Sequence, residues 1–426
     1  MITRKTISSV ILWSVISAAF IGPGTVTTAA TAGSLYQLDL LWAVVFATIA
    51  CILLQEISAR LVIVSGLTMG QALDKKYGEK RGRWLKYVLG GPVILGCAAY
   101  EAGNILGGVS GLNLITAVNI PLLTVVLTAF AAIILWSDKR DAIGWLMTFL
   151  VALMGIAFFV LAFGRPFQLV DYVHASFTPV LPAGSELLTL GLVGTTIVPY
   201  NLFLGSGISK GQTVPLMRTG LSLSVLMGGL ITAAILVAGT AVPSFTNFQE
   251  LAHALDENLG TLGGAIVGVG LFAAGFSSAI TSPYAASIIA SSVFSWNLQR
   301  QRMVWIGVLL TGFLFGLSGV RPIPVILAVQ ALNGLVLPLL TAFLILLIND
   351  QAIIPAGQRH SPYYNLVLML IFGSVLLMGL NNVDKSVSTW LGLTGEHFRA
   401  MIGLTTVVTI YLGFKVFLLS GKGLRK

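Results

Sequence analysis

The sequence predicts an all-α integral membrane protein in which two of the membrane-crossing helices are broken at their centres. Three observations carry this reading. First, of 426 residues 56% are hydrophobic and 9% are charged, whereas a soluble domain carries about 25% charged residues; mean hydropathy is +0.93. Second, apolar runs long enough to cross about 30 Å of hydrocarbon recur along the whole chain. Third, two of these runs are interrupted, one at Gly22-Pro23-Gly24-Thr25 and the other at Thr195-Thr196-Ile197-Val198-Pro199. Proline removes a backbone donor and clashes with the preceding turn, and glycine lets the chain leave helical geometry. Within a bilayer, backbone groups freed this way are tolerated only where they are buried in protein or line a cavity. Paired breaks therefore point to a solute site near the midplane.

Twelve spans follow in order: 8–33, 40–66, 86–117, 120–137, 143–164, 185–208, 213–241, 262–295, 303–319, 324–348, 362–381 and 399–420. The first and sixth contain the breaks. The second opens on Trp42 and closes on Glu56 and Arg60, and the third is a Gly/Ala-rich stretch around Glu101. The short polar link Asp138-Lys139-Arg140 separates the fourth from the fifth. The eighth carries the hydroxyls Ser277, Ser278 and Thr281, and the tenth carries Gln330 and Asn333. The last two are expected as peripheral additions. The 47 glycines suit tightly packed membrane helices.

Lysine and arginine set the expected orientation. With the N-terminus inside, 20 of the 24 fall on cytoplasmic segments, and only Arg165, Arg321, Lys385 and Arg399 fall outside. Both termini are therefore expected in the cytoplasm of a bacterial inner or plasma membrane. The net charge of +9 is then a consequence of topology. Positive residues scattered over short loops, rather than gathered on one folded face, argue against a nucleic-acid partner. Cys51 and Cys97 lie inside spans and imply no disulfide framework. No cleavable signal and no separate soluble domain are expected, and the longest connections (66–85, 165–184, 242–261, 382–398) are too short to fold alone.

Residues 1–164 and 185–348 can form two five-span halves of opposite orientation, with 349–426 outside them. An odd number of spans per half makes the breaks at Pro23 and Pro199 face each other. Several segments then resemble one known family. Gly22-Pro23-Gly24-Thr25, Thr28, Ala32-Gly33-Ser34, Leu40-Leu41-Trp42, Gln55 and Ser58-Ala59-Arg60-Leu61 resemble the first two helices of the Nramp divalent-metal transporters. Val198-Pro199-Tyr200-Asn201-Leu202-Phe203-Leu204 is similar to that family's Met-Pro-His signature, and Gly270–Thr281 with Tyr284-Ala285 resembles its eighth helix. The resemblance implies an inverted-repeat transporter fold of five plus five helices, alternating access between unwound helices one and six, and a divalent cation moved with protons.

The chain departs from the family at the ion ligands. The family's first-helix motif is Asp-Pro-Gly-Asn, and here Gly22 stands for the Asp and Thr25 for the Asn. Val198 replaces the ligating Met and Tyr200 replaces the His, while the third-span acidic pair reads Glu101-Ala102-Gly103-Asn104. The expected substrate-binding set is Gly22, Gly24, Thr25, Thr195, Val198, Tyr200 and Gln330, with Thr196, Asn201 and Asn333 close by. The family's metal-ligand positions are Gly22, Thr25 and Val198, and whether they hold metal here is left open. These donors are neutral, and a bare divalent charge in a low-dielectric cavity is costly without a carboxylate. Losing the methionine removes the soft ligand and tilts any metal preference toward harder ions.

Two carboxylates lie deep in the spans. Glu101 has no basic neighbour in sequence and matches the family's proton-route aspartate, so Glu101 and Asn104 are the expected proton or cation pathway. Glu56 has Arg60 one turn on and reads as an i,i+4 ion pair. Ser277, Ser278 and Thr281 are read as satisfying nearby backbone, and Asn104, Gln330 and Asn333 serve equally as interhelical hydrogen-bonding groups. Trp42, Trp84 and Trp136 read as interfacial anchors. His174, His253, His360 and His397 all fall in loops. No cofactor is expected and no enzyme is expected, because no nucleophile–base set or phosphate loop is present. The expected partners are the bilayer and a small solute or divalent cation, with a coupling proton implied by the resemblance. A transporter of a neutral or monovalent solute on the same scaffold, and a membrane sensor without transport, are the competing readings.

Overall fold

A computed structural model describes residues 4–137, 139–163, 167–243, 245–259, 262–391 and 398–421. The helices are α1 (Arg4–Phe20), α2 (Pro23–Tyr36), α3 (Leu41–Ser65), α4 (Met69–Tyr77), α5 (Glu79–Ile115), α6 (Ile120–Ser137), α7 (Arg140–Ala162), α8 (Leu169–Phe177) and α9 (Glu186–Thr196). They continue as α10 (Pro199–Ile208), α11 (Val214–Gly239), α12 (Phe248–Leu259), α13 (Leu262–Ser292), α14 (Leu298–Leu317), α15 (Pro322–Ile348), α16 (Pro362–Leu391) and α17 (Phe398–Gly421). Among the described residues, nine helical stretches are long and apolar enough to cross a membrane, and the bent pair α1/α2 makes a tenth. With α14 and α15 they account for the twelve expected spans. The short helices α4, α8 and α12 occupy three of the connections read from sequence as plain links.

The two breaks differ in kind. At the first, Gly22 is extended (φ −101°, ψ −178°), Pro23 takes the first helical position of α2, and the pair bends by 63°. At the second, Ile197 and Val198 leave helical geometry, yet Leu188–Ile208 still forms one 21-residue crossing. A sharp bend needs freedom on both sides of the proline, which Gly22 and Gly24 give to Pro23. Pro199 has Val198 before it, and a branched side chain is driven to the β region there (φ −89°, ψ 129°) without turning the chain further.

Close helix packing surrounds these breaks. α13 runs along α5, and a Cβ on Gly108 would come within 3.4 Å of the Gly275 backbone, so the two helices touch where both lack side chains. Gly107 of α5 is in turn filled by the Pro23 ring. Hydroxyls bond across the pairs: Ser282 Oγ donates to Cys97 O at 2.9 Å, Ser58 Oγ to Leu202 O at 2.5 Å, and Ser224 Oγ to Val10 O at 3.1 Å. Such bonds in membranes average about 0.6 kcal/mol each, so they orient the helices more than they hold them together. Cys51 and Cys97 are buried free thiols. Leucine, phenylalanine and valine on α6, α7 and α17 stay exposed, as on faces turned to lipid.

Candidate functional site

Each proline strips one carbonyl of its helical donor. An i→i−4 bond from residue 23 would reach Ala19, and one from residue 199 would reach Thr195; neither proline has the N–H to make it. The Ala19 carbonyl is taken instead by Tyr200 Oη, which donates at 2.8 Å from the opposite break. Its neighbours are served the same way. Ser277 and Ser278 donate to Ala18 O at 3.1 and 3.3 Å, and Thr25 Oγ1 donates to Phe20 O. The last turn of α1 is thus capped by four hydroxyls from α2, α10 and α13, and the carbonyls at the first break are occupied by protein groups. Ser277 and Ser278 behave as the backbone-satisfying groups the sequence suggested.

The site residues distribute around this clasp. Gly22, Thr25, Thr195, Val198 and Tyr200 are all buried, and Gly24 is half-buried in the first turn of α2. Thr195 and Thr196 remain helical and spend their hydroxyls on Leu192 O at 3.1 Å each. A Cβ on Gly22 would lie 2.8 Å from Ser278 Oγ and 3.6 Å from Asn104 Oδ1. Asn104 Nδ2 donates to Glu101 Oε2 at 3.2 Å. A continuous step therefore runs from the break, Gly22 to Asn104 to Glu101, and joins two groups that sequence could only place on separate spans. Glu101 is 0% exposed and its other oxygen, Oε1, has no hydrogen-bond partner among the described residues. Tyr100 packs edge-on against Tyr200 with ring centres 5.7 Å apart, and its own buried hydroxyl has no partner among the described residues. Asn201, one residue past Tyr200, is fully buried, and neither of its amide atoms is hydrogen-bonded to a described residue. The side chains of Gln330 and Asn333 on α15 lie outside the described residues.

On the face opposite the α1 N-terminus, a cavity of about 650 Å³ opens between the ends of α5, α6, α14, the start of α15 and the N-terminal turn of α12. Its α5 wall includes Leu106, two residues beyond Asn104. On the other side, Pro92, Gly96, Tyr100, Pro199, Tyr200 and Val336 leave a void of about 10 Å³, at the limit for a single water. Tyr200 of the α1 clasp is one wall of this void.

Glu56 on α3 proves to be more than one end of a helical pair. Arg60 Nε lies 3.3 Å away as expected, and Arg218 of α11 donates from Nε at 2.9 Å and approaches with Nη2 at 2.8 Å. Tyr364 Oη of α16 donates to the second oxygen at 3.1 Å, and His360 Nε2 stands 3.3 Å from it. His360 stacks on Tyr364 with centroids 4.0 Å apart, and burial, then the charges of Arg60 and Arg218, push it down to about 3. Burial first, and the two guanidiniums second, therefore keep the imidazole neutral at pH 7. His174 and His253 lie on the short helices α8 and α12, a correction to their reading as loop residues; His397 lies outside the described residues. Among the described residues no group of three or more His, Cys, Asp or Glu side chains is arranged to hold a metal.

Two helix breaks, each inside a membrane crossing and joined to one another by a hydrogen bond, define a multi-pass membrane transporter built on broken helices. The model of the Natural resistance-associated macrophage protein-like family matches residues 14–383. The chain belongs to this Nramp family. It is 22% identical over 417 residues to the divalent metal cation transporter MntH of Mycobacterium tuberculosis, covering 92% of this chain and 89% of that protein. With the divalent metal cation transporter MntH 1 of Pseudomonas aeruginosa it shares 27% over 329 residues, covering 71% and 73%. The Eremococcus coleocola manganese transporter structure superposes with a TM-score of 0.76 at 18% identity, covering 97% of this chain and 93% of that one. The fold is the inverted-repeat transporter fold with interrupted first and sixth crossings and two further C-terminal helices.

Proposed function

We propose that the protein is a secondary transporter of a divalent cation, bound between the breaks and passed across by alternating access of repeats 1–164 and 185–348. The observation that carries this reading is the step from Gly22 through Asn104 to Glu101. With no acid at Gly22, the carboxylate nearest the break is Glu101 on α5, one amide away. A divalent ion keeping part of its hydration shell needs oxygen donors and at least one compensating carboxylate; Glu101, the Asn104 amide oxygen and the Thr195 carbonyl that Pro199 cannot bond are the groups left to supply them. Val198 offers no sulfur, which favours hard ions over soft ones. Glu101 is also the group suited to take a coupling proton, since an ionisable residue inside the membrane with no basic partner is a functional group by default. The charge bias puts both termini in the cytoplasm of a bacterial inner or plasma membrane and makes the vestibule extracellular.

Flux in liposomes tests it. Purified protein should carry manganese, magnesium or another divalent ion, and Glu101→Gln should remove that flux. No flux for any divalent ion removes the metal claim. A neutral polar solute is the second reading, favoured by the neutrality of every other donor at the breaks. Under it, the double change G22D and T25N would create divalent binding that the native chain lacks.

A further inference from the structure

The outer cavity is lined by the polar side chains of Ser110, Asn113, Thr246, Asn247, Gln249 and Arg321. Among its described lining residues Arg321 alone is charged. A vestibule that concentrates a cation carries negative side chains, because like-signed walls focus the field onto an incoming ion. Here the one charged side chain on the described lining is positive. Arg321 is exposed and caps α15 (φ −65°, ψ 130°), with Pro322 fixing the next residue at the first helical position. It makes no ion pair or hydrogen bond to another described residue. The nearby acid Glu250, in the first turn of α12, does not line the cavity but accepts from the lining Thr246 N and Thr246 Oγ1 at 2.7 Å each, so its charge sits behind the α12 wall and offsets the N-terminal field of that helix. These bonds hold Glu250 below the usual carboxylate range, so it stays ionised and engaged with its own helix cap. The N-terminal end of α15, at the cavity, adds partial positive charge.

We propose that Arg321 is a specificity-determining residue of the outer vestibule, one that slows entry of free cations and favours neutral or anion-neutralised species. This rests on the cation reading above for its consequence in transport, not for the field itself. A single exposed charge acting on a divalent ion a few ångströms away, screened over about 8 Å at physiological salt, changes encounter about twofold; at low salt the effect reaches about fivefold. Neutralising Arg321 therefore lowers the apparent KM for a divalent ion and leaves Vmax unchanged.

The test uses a reporter as well as transport. Gln249→Cys places an accessible thiol on the exposed cavity wall, while the native Cys51 and Cys97 are buried. Its reaction rates with membrane-impermeant cationic and anionic methanethiosulfonates of matched size are compared with Arg321 intact, as R321K and as R321Q. The anionic-to-cationic rate ratio should fall severalfold in R321Q, more at low salt, and be retained in R321K. In vesicles, R321Q should lower the KM for manganese or magnesium about two- to fivefold at low salt. An unchanged reagent ratio overturns the proposal, as does an unchanged KM in a protein that transports. If no divalent ion is carried by either protein, the cation reading fails on its own, and the reagent ratio still decides whether Arg321 biases the vestibule against cations.

Discussion

Glu56 and Glu101 are both buried carboxylates on membrane-crossing helices, and their surroundings are opposite. Glu56 meets two guanidiniums, a phenol and an imidazole contributed by three helices and a loop. Glu101 meets one neutral amide, with its second oxygen left over. The first arrangement fixes a charge by surrounding it, and in doing so ties α3, α11 and α16 together near the α1 N-terminal side. The second leaves a charge under-solvated and able to respond to a ligand or a proton. A buried carboxylate with a full set of partners does structural work; one without them is where chemistry can happen.

Glu101→Gln should therefore affect transport far more than folding. Divalent uptake should drop at least tenfold, the order expected when a transporter loses the carboxylate beside its helix break, while the melting temperature changes little. Glu56→Gln should do the reverse. Leaving Arg60 and Arg218 without their carboxylate should cost about 2 to 3 kcal/mol in denaturant unfolding, the lower end of what breaking a buried ion pair costs. The discount arises because the Arg218 side chain is 48% exposed and can rehydrate. If both variants lose stability equally, the contrast between the two acids is broken.

Tyr200→Phe sharpens the comparison at the clasp. Removing the donor to Ala19 O should weaken the clasp by about 1 kcal/mol. A cysteine at Gly96, where an added Cβ meets nothing within 4 Å, should then label about fivefold faster from the inner side. The smallest effect concerns pH. His360 is held neutral in the folded protein with its value near 3, against 6.5 when unfolded. The unfolded chain therefore binds this proton first as pH falls, so the stability contributed is complete above pH 6.5 and is lost progressively toward pH 3. Melting temperatures at pH 7.5 and 5.5 should differ in the native chain, and His360→Gln should narrow the difference.

Local chemistry was legible in the sequence and long-range partnership was not. Pro23 flanked by glycines announced a break, and Glu56 four residues before Arg60 announced an ion pair, because both signals lie within one or two turns. Arg218, His360 and Tyr364 joined Glu56 from far along the chain, and no local period encodes that meeting. The Tyr200 bond to Ala19 was hidden for the same reason. It follows from Pro23 lacking an N–H, but the donor that answers it sits 181 residues away. The helices α4, α8 and α12 were missed because nine to twelve residues of mixed polarity give a weak signal between strongly apolar runs. The polar atoms left over at Asn201 and Glu101 Oε1 could only be recognised once their neighbours were known.

The most direct test is a binding titration of the purified protein with magnesium and manganese, native against Glu101→Gln, with melting temperature followed in parallel. The account predicts saturable binding by the native chain, weakened at least tenfold in the variant at unchanged stability, in keeping with the loss of the one carboxylate in the ligand set. Equal binding by both proteins would contradict it.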